Sequence, residues 1–179
     1  MVSLNKIRIT MHSTGILGTL GMAWNYFRLR NFPDEVKQKP KLIQVELTSI
    51  CNLSCGMCPI NDLPVPEQGH MNFEKFKEII DKNFNYSHSL RLWGIGEPFL
   101  NKDMYRIIEY ETSKGNYVNV STNLTILNED MCNKLIASGL QRLLVSIDGA
   151  TRETYEKIRR GGRFDTVVRN LELLNKKIN

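Results

Sequence analysis

The chain has 179 residues, 41% hydrophobic and 24% charged, a balance suited to one globular domain with its own core. Its four cysteines are too few and too crowded for a disulfide framework, which argues against a stapled secreted domain and for a reducing, cytoplasmic compartment. The formal charge of +5 belongs to residues 1–43, where Lys6, Arg8, Arg28, Arg30, Lys37, Lys39 and Lys41 oppose only Asp34 and Glu35, so the basic pI gives no reason to expect a nucleic-acid partner.

No apolar run approaches the roughly 20 residues needed to span a bilayer. In the N-terminal arm, residues 1–41, Ile16, Leu17, Leu20, Trp24 and Phe27 fall on one face of a helix. Gly15, Gly18 and Gly21 weaken that helix. It is expected to dock on the domain, and weak contact with a membrane surface is the lesser alternative. Lys6 and Arg8 ahead of the apolar stretch only loosely imitate a signal peptide.

From residue 42 the pattern becomes regular. Strands are predicted over 42–47, 90–93, 117–120 and 143–147, from short apolar or alternating runs. Helices are predicted over 73–83 (capped by Asn72), 103–113 (closed by Lys114-Gly115), 128–138 (followed by Gly139), 151–159 and 164–177. Strands alternating with helices imply right-handed βαβ units and a parallel sheet, so the fold class is α/β. In such folds, ligands bind at the C-terminal ends of the strands.

The chemistry-bearing residues fall at those ends. After strand one comes Cys51-Asn-Leu-Ser-Cys55-Gly-Met-Cys58. Three thiolates are one short of the four that a cubane iron–sulfur cluster takes, which leaves one iron open to a ligand that is not protein. Zinc is the rival, but it usually takes ligands in two pairs. Here Cys132 sits within a predicted helix, and His12, His70 and His88 have no ligand-like spacing to the loop. After strand two comes Gly94-Ile-Gly-Glu-Pro98, where Gly94 and Gly96 allow close backbone approach and Glu97 offers a carboxylate. After strand three come Ser121, Thr122 and Asn123, and after strand four Ser146 and Asp148. These groups suit ribose hydroxyls, although they also populate ordinary turns. Arg159 and Arg160 precede Gly161-Gly162 and can clamp a carboxylate or end a helix in solvent.

Taken in order, these motifs resemble those of the radical S-adenosylmethionine (radical SAM) superfamily. Cys51-x₃-Cys55-x₂-Cys58 is similar to its defining motif and 94–98 to its glycine–glutamate motif. Residues 121–123, 146–151 and 155–162 resemble the branch that often carries a C-terminal SPASM domain. The resemblance covers about Leu42 to Leu174, and it implies that Cys51, Cys55 and Cys58 ligate a [4Fe–4S] cluster whose open iron binds S-adenosyl-L-methionine. It further implies that Met57 lies near the adenine, that Glu97 with Gly94 and Gly96 holds the methionine amino group, and that Ser121, Asn123, Ser146 and Asp148 lie near the ribose. Arg159 or Arg160 would face the carboxylate. The partners implied are an electron donor such as ferredoxin or flavodoxin and a substrate of peptide or small-molecule type. Members usually form a six-unit partial barrel, whereas residues 42–179 supply four βα units of a TIM-like barrel. The chain therefore reads as the N-terminal portion of a longer enzyme, with a dimerising half-barrel as the alternative. Leu124 stands where many members have glycine. The rival functional reading is a non-catalytic metal-binding module or an inactive fragment.

Overall fold

The computed structural model describes residues 39–62, 68–86 and 88–178, together with residues 20, 21, 23, 24, 26, 27, 30 and 31. Met1–Lys39 and Pro40–Asn179 form two compact units. In the first, the described residues are helical, and Leu20, Trp24 and Phe27 are exposed. The rings of Trp24 and Phe27 stack at 5.7 Å. Gly15, Ile16, Leu17 and Gly18 lie outside the described residues. No helix among the described residues is long and apolar enough to cross a membrane.

The second unit consists of β1 (Leu42–Val45), α1 (Phe73–Asn83), β2 (Ser89–Leu92), α2 (Met104–Ser113), β3 (Tyr117–Thr122), α3 (Glu129–Ala137), β4 (Arg142–Val145), α4 (Arg152–Ile158) and α5 (Phe164–Ile178). Short 3₁₀ turns at Pro59–Asp62 and Pro98–Leu100 follow β1 and β2. The four strands form one sheet in the order β1-β2-β3-β4, and every pairing is parallel. This is the predicted α/β architecture of successive βα units.

The helices begin where side-chain acceptors are available for their first free N–H groups. Asn72 accepts from Lys75 N at 2.8 Å and Asn128 from Met131 N at 2.9 Å. Thr151 does the same for Thr154 N at 3.3 Å. Gly115 and Gly139 adopt φ of 77° and 73° after α2 and α3, the left-handed geometry that glycine accepts without a Cβ clash. Phe73, Phe76 and Ile80 of α1, Met104, Ile107 and Ile108 of α2, and Cys132 and Leu135 of α3 meet Leu90, Leu92, Val118 and Val120 in one core. Burying a Leu, Ile or Phe side chain contributes about 1.5–3 kcal/mol each, so this face of the sheet carries the stability.

Strand limits differ from the sequence reading by at most two residues. β1 stops at Val45, because the backbone after it leaves β2 to form the cysteine loop. β2 and β4 each begin one residue earlier than predicted and end short of Trp93 and Ile147. β3 runs on through Ser121 and Thr122, which pair with Leu144 and Val145. Two residues expected in the loop are therefore held rigidly in the sheet.

Candidate cofactor site at the strand C-termini

The segment after β1 turns back over the sheet and is held on two sides. Ser54 N donates to Arg160 O at 3.0 Å, and Gly56 N to Ile158 O at 3.3 Å, which ties the loop to the end of α4. Within the loop, Cys58 N donates to Cys55 O at 3.0 Å, and Asn61 Nδ2 reaches the same carbonyl at 3.1 Å. Glu97 N donates to Ile50 O at 2.9 Å, which joins the β2 loop to the β1 loop. The glycines serve that junction. A Cβ on Gly96 would lie 2.0 Å from Thr48 O, and one on Gly94 would lie 2.4 Å from Glu46 Cδ. Both line the cavity described next, yet the space they leave empty is filled by the chain's own β1 segment.

Cys51, Cys55 and Cys58 line a single cavity of about 320 Å³. Met57, Trp93, Gly94, Gly96, Glu97, Ser121, Thr122, Asn123, Ser146 and Arg159 complete much of its wall. All four cysteines are free, and Cys132 is wholly buried in the core. His70 is exposed and His88 is buried; neither reaches this cavity, and His12 lies outside the described residues. Burial pushes the Cys51 thiol up from its ordinary value, opposed by the Leu53 N–H that it accepts at 3.4 Å. A cation at the sulfur would offset that desolvation by holding the thiolate. Among the described residues no three His, Cys, Asp or Glu side chains group tightly enough to hold one metal ion. A cubane cluster takes one thiolate per iron, and the three thiols on this one wall supply three of its four ligands.

Glu97 is 2% exposed. Its Oε1 accepts from Thr122 Oγ1 at 2.7 Å and from Phe99 N at 3.2 Å, and its Oε2 from Asn123 N at 2.8 Å. Burial holds its carboxyl above the ordinary range, while these hydrogen bonds pull it down. The carboxylate thus fastens the β2 loop to the end of β3 as well as facing the cavity. Asn123 Nδ2 donates to Asn52 Oδ1 at 3.0 Å and lies 3.8 Å from Cys51 Sγ. Ser121 and Ser146 bring their hydroxyls within 3.2 Å.

Asp148 and Arg160 lie off the cavity wall, whereas Arg159 is part of it. Asp148 is absent from the cavity wall, because Arg159 binds it through Nε at 2.6 Å and Nη2 at 2.5 Å. Opposite charges eleven residues apart meet across the β4–α4 connection, so Asp148 orients Arg159. Arg160 is likewise outside the wall and lays its guanidinium 3.7 Å from where a Gly56 Cβ would be. Leu124 has φ of 60° and is fully buried. The strain of that conformation in a non-glycine residue, about 1–2 kcal/mol, is matched by the burial of its side chain. Trp93 was missed as a site residue, although its place at the end of β2, opposite in phase to Leu90 and Leu92, signals the cavity side.

A family model described as the radical SAM superfamily matches residues 45–179. The chain belongs to this superfamily. It is 36% identical over 138 residues to an AdoMet-dependent heme synthase of Methanosarcina barkeri, which covers 76% of this chain and 40% of that protein. It is 31% identical over 135 residues to the mycofactocin maturase MftC of Mycobacterium tuberculosis, with 75% and 34% covered. The chain thus spans between about a third and two fifths of these relatives. Among solved structures, BtrN in complex with AdoMet and 2-DOIA aligns with a TM-score of 0.56 at 22% identity, covering 74% of this chain and 56% of that one. anSMEcpe with bound AdoMet and a peptide aligns at 0.62 and 23% identity, covering 77% and 40%. At such identities the likeness shows the fold, a partial barrel of parallel βα units. The cofactors of the superfamily are a [4Fe–4S] cluster and S-adenosylmethionine, and the three-thiol cavity fits that donor set.

Proposed function

We propose that this chain is the cofactor-binding portion of a radical SAM enzyme of the SPASM-associated branch, working in the cytoplasm with a ferredoxin- or flavodoxin-type electron donor. The observation that carries this reading is the convergence of Cys51, Cys55 and Cys58 with Glu97, Ser121, Asn123, Ser146 and Arg159 on one cavity. When bound, the cluster and S-adenosylmethionine supply a one-electron cleavage that yields a 5′-deoxyadenosyl radical able to abstract a substrate hydrogen. The chain's own residues do the positioning. Cys51, Cys55 and Cys58 would ligate three irons of the cluster and leave one without a protein ligand. Glu97, buried at the cavity, would face the methionine amino group, whose positive charge would favour its ionised form. Ser121, Asn123 and Ser146 offer hydroxyl and amide groups to the ribose, and Arg159, steadied by Asp148, offers its guanidinium to the carboxylate. Met57 and Trp93 give apolar surface beside the adenine. The relatives' names divide between heme synthesis and mycofactocin maturation, so tetrapyrroles and peptides are the two substrate families that the likeness suggests.

The test is anaerobic reconstitution of the chain with iron and sulfide, followed by dithionite and S-adenosylmethionine. Iron uptake with visible charge-transfer absorbance and release of 5′-deoxyadenosine are expected. Ala at Cys51, Cys55 or Cys58 should abolish the absorbance, whereas Cys132→Ala should retain it. Stoichiometric zinc uptake in place of iron would leave a non-catalytic metal module.

A further inference from the structure

The strands of this sheet alternate, which is unusual where all pairings are parallel. Parallel strands covered on both faces read as nearly continuous apolar runs, and closed barrels of this kind fill their interiors with branched aliphatic side chains. Here Ile43, Leu90, Leu92, Val118 and Val120 join the core under the helices. The opposite face mixes polar side chains with Leu42, Trp93, Tyr117 and Leu144. The register aligns Gln44, Arg91, Asn119 and Arg142 in one row across all four strands.

Arg91, Trp93, Asn119, Ser121, Arg142 and Leu144 help line a second cavity, of about 500 Å³. Trp93 and Ser121 also line the cysteine cavity, so they form a boundary common to both spaces. The second cavity has an excess of positive charge. No ion pair joins Arg91 or Arg142 to a carboxylate among the described residues. Arg91 lies 5.3 Å from the Trp93 ring centroid, a cation–π contact that orients the guanidinium while leaving its hydrogen-bonding edge free. Glu46, just past the end of β1, is not part of this wall and accepts from Ile95 N at 2.7 Å. Asn119 is 6% exposed and donates to Ser89 Oγ at 3.5 Å, a further amide in the row between the two cations. β2 and β4 are two strand spacings apart, about 10 Å. The Trp93 ring and Leu144 supply apolar surface beside this polar row.

We infer that this second chamber is the substrate subsite next to the cofactor cavity and that it selects an organic polycarboxylate, with one carboxylate on Arg91 and another on Arg142. Arginine presents a planar fork that matches a carboxylate in two parallel hydrogen bonds, and the apolar surface beside it takes the body of the molecule. The inference rests on the radical SAM reading for its placement beside the reacting centre. Such carboxylates belong either to a tetrapyrrole's propionates or to the acidic side chains of a short peptide.

The test measures binding to the reconstituted chain of three probes: coproporphyrin III, its tetramethyl ester and a tetraglutamate peptide. At least one acid should bind, and the ester should bind about tenfold more weakly than the porphyrin acid if the propionates are recognised. Porphyrin binding without peptide binding assigns the site to tetrapyrrole propionates, and the reverse assigns it to acidic side chains. Arg91→Gln and Arg142→Gln should each weaken the acid that binds about tenfold, while Arg106→Gln, on the outer face of α2, should not. Arg142→Lys keeps a charge and is expected to restore part of the affinity. No binding of either acid, or binding indifferent to both arginine substitutions, would overturn the inference. Cluster absorbance and 5′-deoxyadenosine release are recorded on the same preparation. If they persist while acid binding fails, the substrate inference falls alone; if they too are absent, the cofactor reading falls with it.

Discussion

Two glutamates are buried at opposite ends of the same sheet, and their surroundings differ. Glu111, at the end of α2, is answered by its own chain. His88 Nε2 lies 3.0 Å from its Oε2, and Asn116 Nδ2 donates to the same oxygen at 2.9 Å. Lys114 Nζ stands 3.7 Å from Oε1. The other ring nitrogen of His88 meets Tyr86 O at 2.7 Å, so both ring nitrogens have an oxygen partner. Glu97, at the C-terminal ends of the strands, receives three hydrogen bonds from neutral donors. The cation nearest to answering it, Arg159, is already paired with Asp148. One end of the sheet is closed by a buried pair bonded within the chain. The other keeps a carboxylate facing a cavity, as a site for a cationic ligand group requires.

The largest effect should come from breaking the closed end. Glu111→Ala leaves His88 and Asn116 buried without their partner, and losing one member of a buried pair costs about 3–5 kcal/mol. Urea unfolding of the apo chain should show this as a large drop in midpoint. An unchanged midpoint would mean that the pair is not a structural seal, and the comparison would lose one of its sides.

Glu97 should behave less like a seal. Glu97→Ala strips an acceptor from Phe99 N, Thr122 Oγ1 and Asn123 N, and a buried unsatisfied donor costs about 1–3 kcal/mol. Glu97→Gln keeps the shape and one acceptor oxygen but removes the charge; its amide nitrogen must face either Asn123 N or the Phe99 N and Thr122 Oγ1 pair, so the apo chain should lose about 1–3 kcal/mol, less than the Ala variant. S-adenosylmethionine affinity should nevertheless fall about tenfold, the magnitude of one charge-assisted hydrogen bond. Equilibrium dialysis of the reconstituted variant against the cofactor measures it. If Gln lowers stability as much as Ala and leaves affinity intact, Glu97 is as structural as Glu111.

The sequence revealed the alternation of strands and helices, the Asn72 cap and the three-thiol loop, because each depends on local spacing; Asn128 and Thr151, read as the first residues of their helices, are N-caps instead. It also revealed that Ser121, Asn123 and Ser146 would meet, since a parallel sheet gathers its C-terminal loops. The pairing of Asp148 with Arg159 was not legible, nor was the contact of Gly94 and Gly96 with Glu46 and Thr48. Both depend on how one βα loop leans on another, which spacing within a segment does not encode. The row formed by Gln44, Arg91, Asn119 and Arg142 appears only once the register of four strands is fixed, and a one-residue slip would send its side chains to the other face.

The smallest effect is a pH dependence beside the closed end. Asp81, in the last turn of α1, takes hydrogen bonds from Lys114 Nζ at 2.6 Å and from Tyr110 Oη at 2.5 Å, and it also pairs with Lys77. These contacts, the Lys114 ammonium foremost, hold its carboxyl well below the usual carboxylate range. A folded-state value below the unfolded one means that the unfolded chain binds the proton more tightly. The stabilisation is therefore complete above the ordinary Asp range, near roughly 4, and is lost as the pH falls through and below it. Asp81→Asn should flatten the acid limb of the stability profile while changing neutral-pH stability only slightly, because the group is partly exposed and its ion pairs are screened. Unfolding midpoints measured down the acid range for both proteins check this. Parallel acid limbs would shift the pH sensitivity to other carboxylates, Glu97 excluded: its raised value makes its own contribution favour the folded state as the pH falls.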